Sequence, residues 1–113
     1  MHEMAITQSI LDIAVSEAKK HEAVRVRQIR ICVGEYSGVV PQLIQEYYNL
    51  ISAGTIAENA ELVIERVPVT VRCRACGAES RIDKRRFACP VCGSVEIQLL
   101  TGREFYVDSL EVD

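Results

Sequence analysis

The chain has 113 residues, 49% hydrophobic and 26% charged, with a formal net charge of −3. That length is one domain, or one small domain with a metal-stapled lobe, and the charge excludes a strongly basic nucleic-acid binder. No run approaches the ~18 apolar residues of a membrane span, and the N-terminus lacks the basic, apolar and small-residue zones of a secretory signal.

Glu3 to about His21 reads as a helix. Ile6, Ile10, Ile13, Ala14 and Ala18 recur at helical spacing. Lys19, Lys20 and His21 sit where cations complement the helix C-terminus, and Glu3 suits the other end. Val24 to Val33 reads as a strand, with Ile29, Ile31 and Val33 alternating with Gln28, Arg30 and Cys32. Val24 and Val26 are out of phase with that set, which a bulge near Gln28 or an exposed strand end would explain. Cys32 reads as a small apolar residue.

A turn follows at Gly34 to Gly38. Pro41 then opens a second helix with an apolar stripe of Leu43, Ile44, Tyr47, Leu50 and Ile51, and Gly54 ends it. Glu61 to Val67 is a second strand, closed by Pro68. Glu104 to Val112 reads as a third. The expected fold is therefore α+β: a small three-stranded sheet covered by two helices, with a cysteine-rich lobe inserted between two strands. The expected division is residues 1–68 with 104–113 as the body and 69–103 as the insert, on two short linkers.

The insert holds Cys73-Arg-Ala-Cys76-Gly77 and Cys89-Pro-Val-Cys92-Gly93. Each Cys-x-x-Cys pair turns two sulfurs toward one point, and two facing pairs make four thiolates in a tetrahedron, the usual closed zinc site. Glycine after each second cysteine fits the tight turn. Two disulfides and a thioredoxin-like redox pair are the other readings. The redox reading wants one motif beside a βαβ pattern. Paired thiols with an odd fifth cysteine and no signal point to a reducing cytoplasm.

From Val69 to Arg103 there are seven Lys/Arg and three Asp/Glu, whereas the remainder has six and thirteen. Zinc on four thiolates adds −2 to the insert. A modestly basic lobe on an acidic body hints at a charged protein partner. Arg81, Lys84, Arg85 and Arg86 form a charge run between the cysteine pairs, either a solvated hairpin tip or a partner contact.

The chain begins Met1-His2-Glu3. Histidine is too large for removal of the methionine before it. The Met1 amine, the His2 amide and imidazole nitrogens and the Glu3 amide then offer four nitrogens in a plane, a set that suits Ni(II) or Cu(II) rather than zinc. Ligand deprotonation makes such binding pH-dependent. An exposed chain end suits transfer better than storage.

With these residues in place the sequence resembles the hydrogenase-maturation nickel metallochaperones, HypA and its paralogue HybF. The likeness covers nearly the whole chain. It takes in Met1-His2-Glu3, Gly34-Glu35 with Ser37-Gly38, Pro41, Gly54-Thr55, Leu62, Ile64, Pro68 and both cysteine pairs. It continues through Gly93-Ser94, Gly102, Glu104 to Val107 and Leu110 to Val112. Tyr36 stands where the family often has leucine, a change of packing. The resemblance implies nickel on Met1, His2 and Glu3, and structural zinc on Cys73, Cys76, Cys89 and Cys92. Some relatives carry histidines beside the cysteine pairs as alternative zinc ligands. This chain has only His2 and His21, so four cysteines alone are expected. The resemblance further implies delivery of Ni(II) to the large subunit precursor of a [NiFe] hydrogenase, sometimes support of urease, and a nickel-handling GTPase as partner. It implies a monomer or homodimer and no catalysis. The competing reading is a zinc-ribbon adaptor for nucleic acid or protein with no second metal.

Overall fold

The computed structural model describes residues 3–83 and 85–113. Elements run α1 (Glu3–Lys20), β1 (Val26–Gly34), α2 (Pro41–Ile51), β2 (Glu61–Val67), β3 (Thr70–Cys73), β4 (Glu79–Arg81), β5 (Ile97–Thr101) and β6 (Phe105–Val112). The strands form two three-stranded sheets, ordered β2-β1-β6 and β4-β3-β5. The class is α+β, as expected. The chain divides into two compact units: residues 1–31, 39–65 and 106–113, and residues 32–38 and 66–105.

In the first unit, α1 buries Thr7, Ile10, Leu11, Ala14 and Ala18, a continuous stripe at helical spacing. Ile13 was expected in that stripe but is 45% exposed, and Leu11 takes its place. Thr7 is tolerated in the stripe because its hydroxyl donates to the Glu3 carbonyl one turn back. The helix stops at a Schellman-type turn. Ala23 N–H reaches Ala18 O at 2.9 Å, Glu22 N–H reaches Lys19 O at 3.1 Å, and Glu22 adopts φ 57°.

α2 packs on α1 through a narrower stripe than the sequence suggested. Ile44 and Tyr48 are buried, whereas Leu50 is 72% exposed. The rotation of the helix is fixed by Tyr48, whose hydroxyl donates to Ala57 O at 2.5 Å. A buried phenol needs such an acceptor, so the loop after α2 decides which tyrosine goes inside. Burial also pushes the Tyr48 hydroxyl up to about 12. That loop is itself ordered by buried Ser52, whose Oγ accepts from Asn59 N–H at 3.1 Å.

β1 is the central strand and buries Ile29, Ile31 and Val33 as the alternation required. Val26 and Cys32, of the opposite parity, are buried too, and Val24 lies outside the strand and exposed. The slip in phase thus reflects a central strand with cover on both faces at its ends. Gln28 reaches Glu61 and Arg30 reaches Glu65, pairings that ascend together as in a parallel pair. Val24 and Arg25 instead exchange backbone hydrogen bonds with Asp113, the antiparallel sense for β6.

The second unit is built on β3. It pairs antiparallel with β4 (Val71 opposite Ser80) and with β5 (Val71 opposite Leu99), with an irregularity between Thr70 and Val71. Its apolar core is small: Val69, Val71 and Ile82, with Ile97 and Leu99 against them. A core of that size cannot support a lobe unaided, and domains this short usually need a metal or disulfides. The turn at Gly34 belongs to this unit. Gly34 N–H donates to Glu104 O, Tyr36 N–H to Gly102 O, and Glu35 N–H to Val67 O. The backbones approach so closely that a Cβ on Gly34 would lie 2.1 Å from Gly102 O. Tyr36 packs its ring edge-to-face on Phe87 at 5.0 Å between centroids, and the Arg103 guanidinium lies 5.5 Å from its ring centre. Tyr36 thereby makes a surface aromatic contact.

Candidate metal centre

The structure brings Cys73, Cys76, Cys89 and Cys92 together, with all four sulfurs within 4.8 Å of one another. Cys73 Sγ lies 3.6 Å from Cys92 Sγ, and Cys76 Sγ lies 3.7 Å from Cys89 Sγ. A Zn–S bond of about 2.3 Å places tetrahedral sulfurs about 3.8 Å apart. A disulfide needs an S–S bond of about 2 Å, and all four cysteines are free thiols here. The closest cross-pairs join one knuckle to the other, which is the arrangement of a shared ion.

The local sequence makes this geometry. In the first knuckle, Cys73 N–H donates to Ala78 O and Gly77 N–H to Cys73 O. The second repeats the pattern, with Cys89 N–H to Ser94 O and Gly93 N–H to Cys89 O. Gly77 and Gly93 have φ 78° and 79°, the left-handed conformation that closes each turn. The turns aim backbone N–H groups at sulfur: Ala75 and Cys76 donate to Cys73 Sγ at 3.3 and 3.4 Å. These groups stabilise a thiolate, and the Cys76 N–H foremost draws the Cys73 thiol down to about 6. Cys89 is lowered likewise, first by the Cys92 N–H and then by that of Val91. At Cys92 the Ser94 N–H pulls downward but is outweighed by the Cys73 sulfur, burial and the other cysteines, which push the thiol up to about 12. At Cys76 the Ala78 N–H is outweighed by burial and the neighbouring sulfurs, and the thiol is raised. Without a cation, crowded thiolates oppose one another, and a divalent ion removes that opposition. The donor set fits Zn(II), with four ligands and no open position.

The other expected site begins at the chain's first residues. Met1 and His2 lie outside the described residues. Glu3 opens α1 with its side chain buried, 8% exposed, and its Oε2 has no hydrogen-bond partner among the described residues. Its amide lies in the first helical turn, where N–H groups have no intrahelical acceptor. The place in the first turn was legible in the sequence, whereas the buried oxygen was not. Lys84, part of the expected charge run, also lies outside the described residues. Arg81 pairs with Glu35 at 3.4 Å, and Arg85 pairs with Asp83 at 3.2 Å.

A family model described as hydrogenase/urease nickel incorporation, metallochaperone, hypA matches residues 1–112. The chain belongs to the HypA family. It is 35% identical over 113 residues to a hydrogenase maturation factor HypA of Aquifex aeolicus, covering 100% of this chain and 98% of the relative. It is 37% identical over 112 residues to that of Nitrosospira multiformis, covering 99% and 97%. The fold is similar to the solution structure of the Ni metallochaperone HypA from Helicobacter pylori. There the TM-score is 0.69, at 23% identity over 99% of this chain and 97% of that one. HypA membership places the chain among the nickel metallochaperones of hydrogenase maturation, with a four-sulfur site suited to structural zinc, and disfavours the adaptor reading. Among the described residues, no helix is long and apolar enough to cross a membrane.

Proposed function

We propose that Met1, His2 and Glu3 carry Ni(II) as cargo, and that Cys73, Cys76, Cys89 and Cys92 hold a resident Zn(II) that shapes the lobe of residues 69–103. The nickel lobe is the body expected at residues 1–68 with 104–113, less the turn at Gly34 and the residues at its two links to the cysteine lobe, which group with that lobe. One observation carries the assignment at the chain start: the buried Oε2 of Glu3, without a hydrogen-bond partner among the described residues and directly after Met1 and His2 in sequence. Burying a carboxylate oxygen without a partner costs free energy, and a cation beside it offsets that cost. The Met1 amine, His2 imidazole and two amide nitrogens supply a planar set for Ni(II), with the carboxylate adjacent.

A closed sulfur site and an end-of-chain nitrogen site divide the labour. Zinc has no open coordination position, so it supplies shape rather than chemistry. Nickel at a chain end is reached by an acceptor from outside, which suits exchange of ligands during transfer. The acceptor is the large subunit precursor of a [NiFe] hydrogenase, with a nickel-handling GTPase as the partner in delivery, and urease as a second client. The protein acts as a carrier in the cytoplasm and catalyses no reaction. His2→Ala tests the assignment: nickel bound in a metal titration is lost while zinc content stays unchanged. Unaltered nickel stoichiometry in that variant would contradict it.

A further inference from the structure

We propose that the groove between the end of β4 and the second cysteine knuckle docks an acidic, extended segment of a protein partner. The groove is a cavity of about 420 Å³, lined by Arg81, Ile82, Asp83, Arg86, Ala88 and Pro90 together with Cys89 and Gly93. That size suits a few side chains of a peptide.

Its chemistry is cationic and apolar together. Arg81 has a side chain 72% exposed and holds Glu35 only at 3.4 Å. That contact shows that the Arg81 guanidinium takes a carboxylate, here one within the chain. Arg86 is exposed and makes no ion pair among the described residues. Two guanidinium forks on one groove favour carboxylates, which they grip through paired N–H donors. Asp83 also lines the groove, but Arg85 takes both of its oxygens, at 3.3 Å and 3.2 Å, and the Arg85 N–H takes Oδ1 at 2.8 Å. Its charge is thus met locally. The Cys89 sulfur is faced by the N–H groups of Cys92 and Val91, and zinc on the four cysteines would meet the rest of its charge. Ala88 and Pro90 give the groove an apolar floor, and Phe87, next to Ala88 in sequence, is 39% exposed. Phosphates need no such floor. The lobe's small basic excess, halved by four thiolates on zinc, is far from a nucleic-acid footprint. An alternating acidic and apolar strand satisfies both the guanidinium groups and the floor.

The inference rests on zinc loading of the four cysteines but not on where nickel binds. The test uses the full-length, zinc-loaded chain and a short synthetic peptide of alternating glutamate and leucine. Amide resonances of Arg86, Ala88 and Gly93 should shift on titration, and the matched glutamine–leucine peptide should leave them in place. Arg86→Glu should weaken the glutamate peptide by about tenfold or more, and Arg81→Glu by a similar factor. Zinc content and amide dispersion confirm that each variant is folded. Arg66→Glu, an exposed charge reversal outside the groove, should bind as the parent does. Equal weakening by Arg66→Glu would overturn the proposal in favour of unspecific charge attraction. Tighter binding of a short single-stranded oligonucleotide at the same resonances would overturn it in favour of nucleic acid. Unshifted groove resonances in a zinc-loaded sample would also overturn it.

Discussion

Each cysteine knuckle holds its sulfurs from the backbone: a glycine at positive φ closes the turn and N–H groups face the first sulfur. The start of α1 provides nothing of the kind. There Glu3 keeps a buried oxygen without a partner among the described residues, and its amide lies in a helical turn that leaves N–H groups free. The first region is complete once an ion enters, and its fold depends on that ion. On the assignment proposed above, the second is attached to a helix that stands on its own apolar stripe, so loss of an ion leaves the helix formed and returns only the local cost of the buried carboxylate. The contrast teaches how one short chain keeps one metal and gives away another.

The largest expected effect lies on the retained metal. Cys73→Ala should abolish zinc binding and unfold the β4-β3-β5 lobe, because structural zinc contributes about 10–16 kcal/mol to such sites. Helical circular dichroism from α1 and α2 should persist while amide dispersion from residues 66–105 collapses. Retained dispersion there would break the comparison by making the small apolar core sufficient.

Gly34→Ala should cost about 3 kcal/mol in chemical denaturation, since its Cβ would strike the Gly102 carbonyl and both neighbours are backbone. Gly38→Ala is the control. It has φ +79° with open space around it, so only backbone strain of about 1 kcal/mol is expected. Tyr48→Phe should follow at about 1 kcal/mol, for it removes one of two donors to the Ala57 carbonyl and leaves the Ala60 N–H in place.

Acid should separate the two states of the cysteine site. In the metal-free protein the lowered Cys73 thiol favours the folded lobe above its ordinary value near 9, and that preference is lost as pH falls through about 6. Zinc loading must also expel the protons that Cys76 and Cys92 retain, so zinc affinity should fall as pH falls. Thiolate ultraviolet absorbance of the metal-free chain should show early ionisation from Cys73 and Cys89 to the extent that the knuckles stay formed, and Cys73→Ala should remove the Cys73 part. The smallest effect belongs to exposed ion pairs such as Arg72 with Glu79, where Arg72→Ala should change stability by about 0.5 kcal/mol or less.

The sequence made the long elements plain. Both helices, the three strands of the first sheet and the two knuckles follow from periodicity, proline and glycine placement and cysteine spacing. Strands β3, β4 and β5 escaped because they are three to five residues long and mix Arg72, Glu79 and Gln98 with apolar residues. Their order comes from zinc and from pairing across the lobe rather than from a local pattern. The stripe of α2 was misjudged because Tyr47 and Tyr48 are equivalent to periodicity. The Ala57 carbonyl, nine residues on, selects Tyr48. Glu3 was legible as a helix-start residue, but the burial of its oxygen, without a partner among the described residues, depends on tertiary packing.

The account stands most directly on the chain's first amine. Nickel titration of the protein with a native N-terminus, beside the same protein acetylated there, separates the alternatives in one measurement. Acetylation removes one nitrogen donor and leaves zinc, fold and Glu3 untouched. The account predicts that the acetylated chain loses its tight nickel while keeping its zinc. Equal nickel affinity in both samples would contradict it.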